Sequence, residues 1–138
     1  MDLKQHQKIQ GFSLIELIIV IAITAILIGI SLPLYTNHVT KTHRQEAQAA
    51  LINLVARMEQ YFFEKHTYVG AAQELLNNNK MSTHYYELQI SNATGTTYLL
   101  KAIPQNSQVK NDYLCGTLTI NQLGEKSITP NNNINNCW

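Results

Sequence analysis

The sequence has 138 residues and a formal net charge of +1, and 14% of its residues are charged. This length allows one globular domain of ordinary size, and the near-zero net charge excludes the strongly basic footprint of a typical nucleic-acid-binding protein. The charged fraction lies below the usual value of about 25% because one long stretch has no charges. No Asp, Glu, Lys or Arg occurs between Glu16 and Lys41, which indicates an apolar segment near the N-terminus.

The N-terminal region opens with a short polar stretch, residues 1–11, and then becomes apolar. Between Leu17 and Leu34 only Thr24 and Ser31 are polar. As an α-helix this run would rise about 27 Å, close to the hydrocarbon thickness of a bilayer, about 30 Å, so it predicts a membrane-spanning helix. A cleaved secretory signal is disfavoured, because its apolar region is usually only about 7–15 residues long and no small-x-small cleavage site follows here.

Glu16 lies at the start of this apolar run. A carboxylate inside a membrane helix costs roughly 2.5–3.5 kcal/mol on insertion scales, so Glu16 is a candidate functional residue. It follows Phe12 by four residues, one helical turn. If the chain were cut after Gly11, Phe12 would carry a free amine that Glu16 could neutralise in its own chain or in a neighbouring one. The alternative, a carboxylate that merely reaches the membrane interface, stays open at this point.

These residues resemble a known family. Gly11-Phe12-Ser13-Leu14-Ile15-Glu16 is similar to the processing site of type IV prepilins of the type IVa group: Gly, an aromatic residue, then Ser/Thr-Leu-Ile-Glu and a long apolar helix. The resemblance implies that prepilin peptidase cleaves between Gly11 and Phe12 and methylates the new Phe12 amine. It also implies that Glu16 and the Phe12 amine form an assembly contact between subunits.

Pro33 matches a proline that is common in the helix of this family, whereas Ala25 stands where the family often has glycine. A proline inside a helix removes one hydrogen bond and crowds the preceding turn, and Gly29 lies one turn earlier. We therefore expect helix flexibility between Gly29 and Pro33. A tolerated kink in the membrane and a segment that unwinds in a filament are both open interpretations.

After Val39 the apolar residues recur at spacings of three and four, which extends the predicted helix to roughly residues 12–66. Short strand-like runs follow, separated by Asn, Gly or Pro residues: Tyr85–Ser91, Tyr98–Ile103, Gly116–Asn121 and, more weakly, Lys126–Thr129. The connection from Thr67 to Thr83 is either an exposed functional loop or contains a short helix around Ala71–Leu76. Together these elements predict an α+β pilin fold, in which one long N-terminal helix packs on an antiparallel sheet of three to four strands.

Two cysteines, Cys115 and Cys137, lie late in the chain. Outside the cytoplasm a disulfide would be the default interpretation of such a pair. The resemblance implies the same pairing, because pilins commonly carry a C-terminal disulfide. The ending Cys137-Trp138 is most similar to small minor pilins of the PilE type.

The sequence gives little support for catalysis or for a metal. None of the five histidines lies in a recognised nucleophile motif, and His38 and His43 are five apart, a poor spacing for one helical face. We therefore predict no catalytic residue, no metal site and no cofactor. Some pilins take part in DNA uptake, and a small basic patch could form on folding from three lysines: Lys101, Lys110 and Lys126.

The predicted organisation is a cleaved leader at 1–11, a transmembrane and fibre-core helix at 12–35, and a periplasmic globular domain at 36–138. The resemblance implies a structural pilus subunit that is stored as a single-pass protein of the bacterial inner membrane and then enters an extracellular filament. Its implied partners are other pilin subunits, prepilin peptidase, the inner-membrane assembly machinery and the membrane, with DNA left open. Two alternatives remain: a pseudopilin of type II secretion, and a membrane-anchored periplasmic binding or enzymatic domain.

Overall fold

The computed structural model describes residues 11–76, 83–130 and 134–138. The predicted leader lies outside these ranges except for Gly11. Three helices and four strands follow one another along the chain: α1 (Leu14–Lys65), α2 (Ala71–Leu75), β1 (Tyr86–Ser91), β2 (Leu99–Pro104), α3 (Gln108–Asn111), β3 (Thr117–Asn121) and β4 (Lys126–Thr129). The chain divides into two compact units, one ending at Tyr35 and one covering Thr36–Trp138.

The first unit is the N-terminal part of α1, whose side chains are exposed from Leu14 to Tyr35. This stretch is long and apolar enough to cross a membrane, and none of its most apolar window is buried within the chain. Its Thr24 and Ser31 hydroxyls are satisfied inside the helix, because Thr24 donates to the Val20 carbonyl and Ser31 donates to the Leu27 carbonyl, each one turn back. Lipid or another protein chain could therefore cover this helix without stranding a hydroxyl group.

The second unit contains the rest of α1, which presents one buried stripe. The stripe consists of residues three or four positions apart, which fall on one face of a helix: Ala47, Leu51, Leu54, Met58 and Tyr61. The helix ends at Lys65, and the next residue, His66, has a positive φ of 56° that stops its propagation.

The four strands form one antiparallel sheet in the order β1-β2-β3-β4, so each strand pairs with its neighbour in the sequence. Side chains alternate between the two faces of a strand, and one face is apolar where Leu100 pairs with Ile120 and Leu118 pairs with Ile128. These side chains and the stripe of α1 belong to one buried cluster. The predicted α+β pilin fold, a long helix packed on a small antiparallel sheet, is confirmed.

Two features of the connections refine the sequence prediction. The short helix expected near Ala71–Leu76 is present as α2, while part of that connection, residues 77–82, lies outside the described ranges. The polar connection between β2 and β3 contains α3. Gln108 of α3 is buried although the surrounding sequence is polar, because its side chain forms hydrogen bonds with other buried groups.

Candidate assembly site

The predicted processing and assembly residues lie at the beginning of α1. Leu14 is the first helical residue, and the Ser13 carbonyl accepts hydrogen bonds from the amides of Glu16 at 3.1 Å and Leu17 at 3.3 Å. Gly11 precedes the helix and is exposed, and a Cβ atom at that position would meet nothing within 4 Å. Among the described residues, nothing therefore crowds the Gly11 side of the Gly11–Phe12 peptide bond.

Phe12 precedes α1 and lies beside Glu16 of the helix. Phe12 is 81% exposed, and together with Glu16, Leu17 and Val20 it lines a shallow hollow of about 270 Å³. Glu16 and Val20 lie one helical turn apart on α1, which brings their side chains to the same face. Within the described part of the chain, no ion pair involves Glu16. An amine placed in this hollow would therefore find an available carboxylate in an otherwise apolar surface.

Gly29 and Pro33 lie inside α1, which continues through both residues. A Cβ atom at Gly29 would have no neighbour within 4 Å, so no close approach of another described segment explains the glycine. Flexibility of this segment remains a prediction.

The small basic patch that the sequence left open does not form, because the fold separates its three lysines. Lys101 pairs with Thr119 across β2 and β3, whereas Lys126 pairs with Ile120 across β3 and β4. Directly paired residues share one face of a sheet and successive residues alternate, so Lys101 and Lys126 lie on opposite faces. Lys110 lies in α3, beyond the far end of β2.

A buried ion pair in the globular unit was not anticipated from the sequence. The Arg44 guanidinium on α1 donates two hydrogen bonds to the Asp112 carboxylate, at 2.8 and 2.6 Å, and a third to the Asn136 carbonyl at 2.6 Å. The side chains of Arg44 and Asp112 are only 12% and 2% exposed. Two parallel N–H···O bonds make this a strong, directional pair that fixes α1 to the segment after α3.

Gln108 and Tyr86 complete the polar cluster around Asp112. The Tyr86 hydroxyl donates to the carboxylate at 2.6 Å, and the Gln108 amide donates to the Thr40 carbonyl at 3.0 Å. Burial and the hydrogen bond to Asp112 raise the pKa of Tyr86 well above its usual value. Throughout the described ranges every buried side-chain N or O atom has a hydrogen-bond partner, so this cluster is satisfied.

His43 extends the cluster to the surface. Its ring stacks on Tyr85 with centroids 3.5 Å apart, and its Nδ1 lies 3.2 Å from Gln108 Oε1. Because an amide oxygen only accepts, the neutral ring must carry its proton on Nδ1. Over residues 11–76, 83–130 and 134–138, no group of three or more His, Cys, Asp or Glu side chains could hold a metal ion.

The disulfide between Cys115 and Cys137 is formed, with 5.4 Å between the Cα atoms. It holds the C-terminal segment beside α1, where Gln48 donates to the Cys137 carbonyl. The Trp138 indole donates to the Ser127 carbonyl of β4 at 3.0 Å, and the Lys126 ammonium lies 4.9 Å from the Trp138 ring centroid. The segment therefore bridges α1 and the β4 edge of the sheet.

Comparison with known proteins identifies the family. Residues 6–32 match the prokaryotic N-terminal methylation motif. Residues 33–119 match the family described as "Type IV minor pilin ComP, DNA uptake sequence receptor", and this second match covers more than half of the chain. The protein belongs to this family of type IV pilins. The predicted family resemblance is thereby confirmed, and it extends beyond the N-terminal helix into the globular unit.

Curated relatives of this pilin match it over a shorter region. It is 43% identical over 63 residues to the fimbrial protein EcpC of Eikenella corrodens, a match that covers 46% of this chain and 40% of the relative. It is 36% identical over 66 residues to the type IV major pilin protein PilA of Myxococcus xanthus, covering 48% of this chain and 30% of the relative. The match thus spans less than half the length of either relative.

Solved structures support the same fold. A type IV pilin from Shewanella oneidensis superposes with a TM-score of 0.52 at 25% identity, covering 72% of this pilin and 97% of that chain. The non-core minor pilin PilV of Neisseria meningitidis gives the same TM-score and identity, covering 69% and 93%.

Proposed function

We propose that this pilin is a structural subunit of a type IV pilus, and that α1 is its assembly element. The observation that carries the proposal is the wholly exposed apolar surface of α1 from Leu14 to Tyr35, which begins with a lone carboxylate at Glu16. An exposed apolar helix of this size needs a lipid or protein environment. Storage in the bacterial inner membrane, with residues 36–138 in the periplasm, supplies the first, and a filament core supplies the second.

Cleavage by prepilin peptidase between Gly11 and Phe12 creates the group that Glu16 lacks. The new amine at Phe12 carries a positive charge at neutral pH, and it would stand one turn from Glu16 on the same face of α1. In a filament the Phe12 amine of one subunit neutralises Glu16 of another, which removes the cost of a buried unpaired carboxylate. Partners in this process are the peptidase, the inner-membrane assembly machinery and other pilin subunits.

Intact mass and N-terminal sequencing of the protein from its own membranes test the processing step. The expected chain begins at methylated Phe12. A chain that still begins at Met1 in cells with active peptidase would refute the proposal and favour a permanently anchored periplasmic domain. Imaging of filaments then separates a pilus from the short pseudopilus of type II secretion, an alternative that the match to a pilin family over residues 33–119 disfavours.

The assembly contact is tested by Glu16→Gln, which preserves size and hydrogen bonding but removes the charge. We expect normal processing and membrane insertion with loss of filaments. Glu46→Gln is the matched control, because Glu46 is an exposed acid on the same helix in the globular unit and its change should leave filaments intact. Filaments at normal length and number with Glu16→Gln would contradict the charge-pairing role.

A second candidate function is reception of DNA during uptake. The specific observation that favours it is the family match over residues 33–119, whose description includes a DNA uptake sequence receptor. The test is a mobility-shift assay with the processed chain in detergent and double-stranded DNA at several salt concentrations. Binding whose logarithm falls linearly with the logarithm of salt would support phosphate contacts, and absence of binding at low salt would refute this function while leaving the pilus role intact.

A further inference from the structure

Two adjoining hollows lie between α1 and the C-terminal segment of the globular unit. The first has a volume of about 580 Å³ and the second about 570 Å³, and small-ligand sites usually measure about 300–1,000 Å³. They form one continuous groove because they share four lining residues: Lys41, Arg44, Asn136 and Cys137. Every residue that lines this groove belongs to the globular unit, Thr36–Trp138.

Side-chain amides make up much of the polar lining of the groove. Asn37 contributes from α1, Asn111 from the end of α3, and Asn136 from the C-terminal segment. All three residues are exposed, and within the described ranges none of their side-chain amides forms a hydrogen bond. An amide donates through its nitrogen and accepts through its oxygen, so each of these groups can bind a hydroxyl group in either sense.

Two cations line both hollows from neighbouring turns of α1. Lys41 is exposed and forms no ion pair within the described ranges. Arg44 is held by Asp112 and by the Asn136 carbonyl, but these contacts use only three of the five N–H groups of its guanidinium. An anion in the groove could therefore pair with Lys41 and also accept from the unused N–H groups of Arg44.

The acids of this region leave Lys41 without a partner. Among the described residues that line the groove, the only acid is Asp112, which is buried and neutralised by Arg44. Glu46 comes five positions after Lys41, about 140° further around the helix, and does not line either hollow. Glu125, in the turn before β4, binds an asparagine amide. The groove is therefore mildly cationic and otherwise neutral.

Trp138 gives the second hollow an apolar wall. Its indole donates to the Ser127 carbonyl, which fixes the ring, and the ring is partly exposed. An aromatic ring of this kind packs well against the C–H groups of another ring and still presents a polar edge. A terminal carboxylate at Trp138 would lie at this hollow, so the acid of a ligand fits the first hollow, beside Lys41.

We propose that this groove binds an acidic saccharide, a chain of pyranose sugars that includes a uronic acid. The carboxylate pairs with Lys41 and Arg44, the hydroxyl groups bind the asparagine amides, and a neighbouring sugar ring packs on Trp138. A nucleic acid fits this groove less well, because phosphate binding relies on several cations and here one unpaired lysine stands among neutral amides. The proposal concerns the globular unit alone and does not depend on the pilus role.

Fluorescence titration of the full-length chain in detergent tests the site. Trp138 is the sole tryptophan of the chain, so its emission reports on the second hollow. The probes are trigalacturonate, a hyaluronate tetrasaccharide and, as the matched neutral sugar, the methyl ester of trigalacturonate. We expect saturable binding of an acidic probe, and binding of the ester that is weaker by about tenfold, because hydrogen bonds between charged groups are the strong ones.

Substitutions then assign the binding to the groove. Lys41→Gln removes the unpaired cation and should weaken binding of the acidic probe about tenfold. Lys65→Gln is the matched control, an exposed lysine at the end of α1 that lines neither hollow, and it should leave the affinity unchanged. Asn111→Ala should weaken binding about threefold without lowering Tm, since its side chain is exposed and makes no hydrogen bond within the described ranges.

NMR spectroscopy of the side-chain amides gives a second readout that does not rely on Trp138. The signals of Asn37, Asn111 and Asn136 should shift as the acidic probe saturates the chain. The signal of Asn53, an exposed amide of α1 outside the groove, should stay in place.

Three results would overturn the proposal. The first is no saturable binding of either acidic probe by both readouts. The second is equal affinity of Lys41→Gln and Lys65→Gln for the acidic probe, which would reduce the binding to general attraction between charges. The third is displacement of the saccharide by double-stranded DNA that binds more tightly and shifts the same amide signals, which would assign the groove to nucleic acid.

Discussion

Replacing Asp112 by alanine is the most informative single perturbation of the globular unit. Among the described residues, the change leaves the Arg44 guanidinium, 12% exposed in its side chain, with only the Asn136 carbonyl as a partner. It also removes the acceptor of the Tyr86 hydroxyl and of one Gln108 hydrogen bond. Loss of one partner from a buried ion pair costs about 3–5 kcal/mol, because the remaining charge stays buried without compensation.

The same principle predicts a partial rescue. Replacing both partners by apolar residues, as in Arg44→Met with Asp112→Leu, removes the stranded charge, and such replacements of buried pairs are often neutral or stabilising. The double variant should therefore be more stable than Asp112→Ala, although the Tyr86 hydroxyl still lacks its acceptor. A double-mutant cycle measures this coupling free energy between the substitutions at Arg44 and Asp112.

Urea denaturation of the processed chain in detergent, followed by near-ultraviolet circular dichroism, gives the free energy of unfolding. For a domain of this size each 1 kcal/mol corresponds to about 4 °C in Tm, so the single variant should melt at least 10 °C lower. Glu46→Ala is the control and should change stability by no more than about 0.5 kcal/mol. A loss below about 1 kcal/mol for Asp112→Ala would show that the ion pair does not hold α1 to the segment after α3.

Two further predictions follow from the backbone and from a buried tyrosine. Gly116 has a φ of 55°, and a Cβ atom there would overlap the Thr129 carbonyl oxygen, so Gly116→Ala should destabilise the fold by about 1–3 kcal/mol in the same denaturation assay. Gly124→Ala, at a φ of 75° with nothing within 4 Å, should cost less, and equal losses would contradict the steric argument. Burial, with the hydrogen bond and charge of Glu59, raises the pKa of Tyr68 from 10.0 to about 12. The folded chain then keeps a proton that the unfolded chain releases, so the free energy of unfolding should fall as the pH rises from about 10 to 12. Tyr68→Phe should make that decline shallower, and an unchanged slope in a pH series of melts would refute the assignment.

Sequence patterns predicted the regular elements closely because their causes are local. Each strand begins and ends within one residue of its predicted range, since alternating side chains and Asn, Gly or Pro punctuation act over a few residues. The extent of α1 follows from its apolar periodicity and from the end signals at Lys65 and His66. The processing motif and the cysteine pairing came from resemblance to a family, because no spacing rule identifies either.

The polar cluster could not be predicted, because its contacts join residues that are far apart in the sequence. Arg44 and Asp112 are 68 residues apart, and a single sequence does not reveal which charges will meet across that distance. The separation of the three lysines could not be predicted for a similar reason. Whether Lys101 and Lys126 share a face depends on strand register, which is set by the pairing of β2, β3 and β4 and not by the composition of any one strand.

The order of the strands affects when the globular unit can become rigid. Because β1, β2, β3 and β4 pair only with their neighbours in sequence, the sheet can grow strand by strand along the chain, with little entropy lost to loop closure. Two links that attach the C-terminal segment to the rest of the globular unit form later. The third bond of Arg44 needs Asn136, and the disulfide needs Cys137. Both residues are synthesised after all four strands, whereas Asp112 precedes β3. The two Arg44–Asp112 hydrogen bonds can therefore form first, and the Asn136 bond and the disulfide complete the attachment of α1 last.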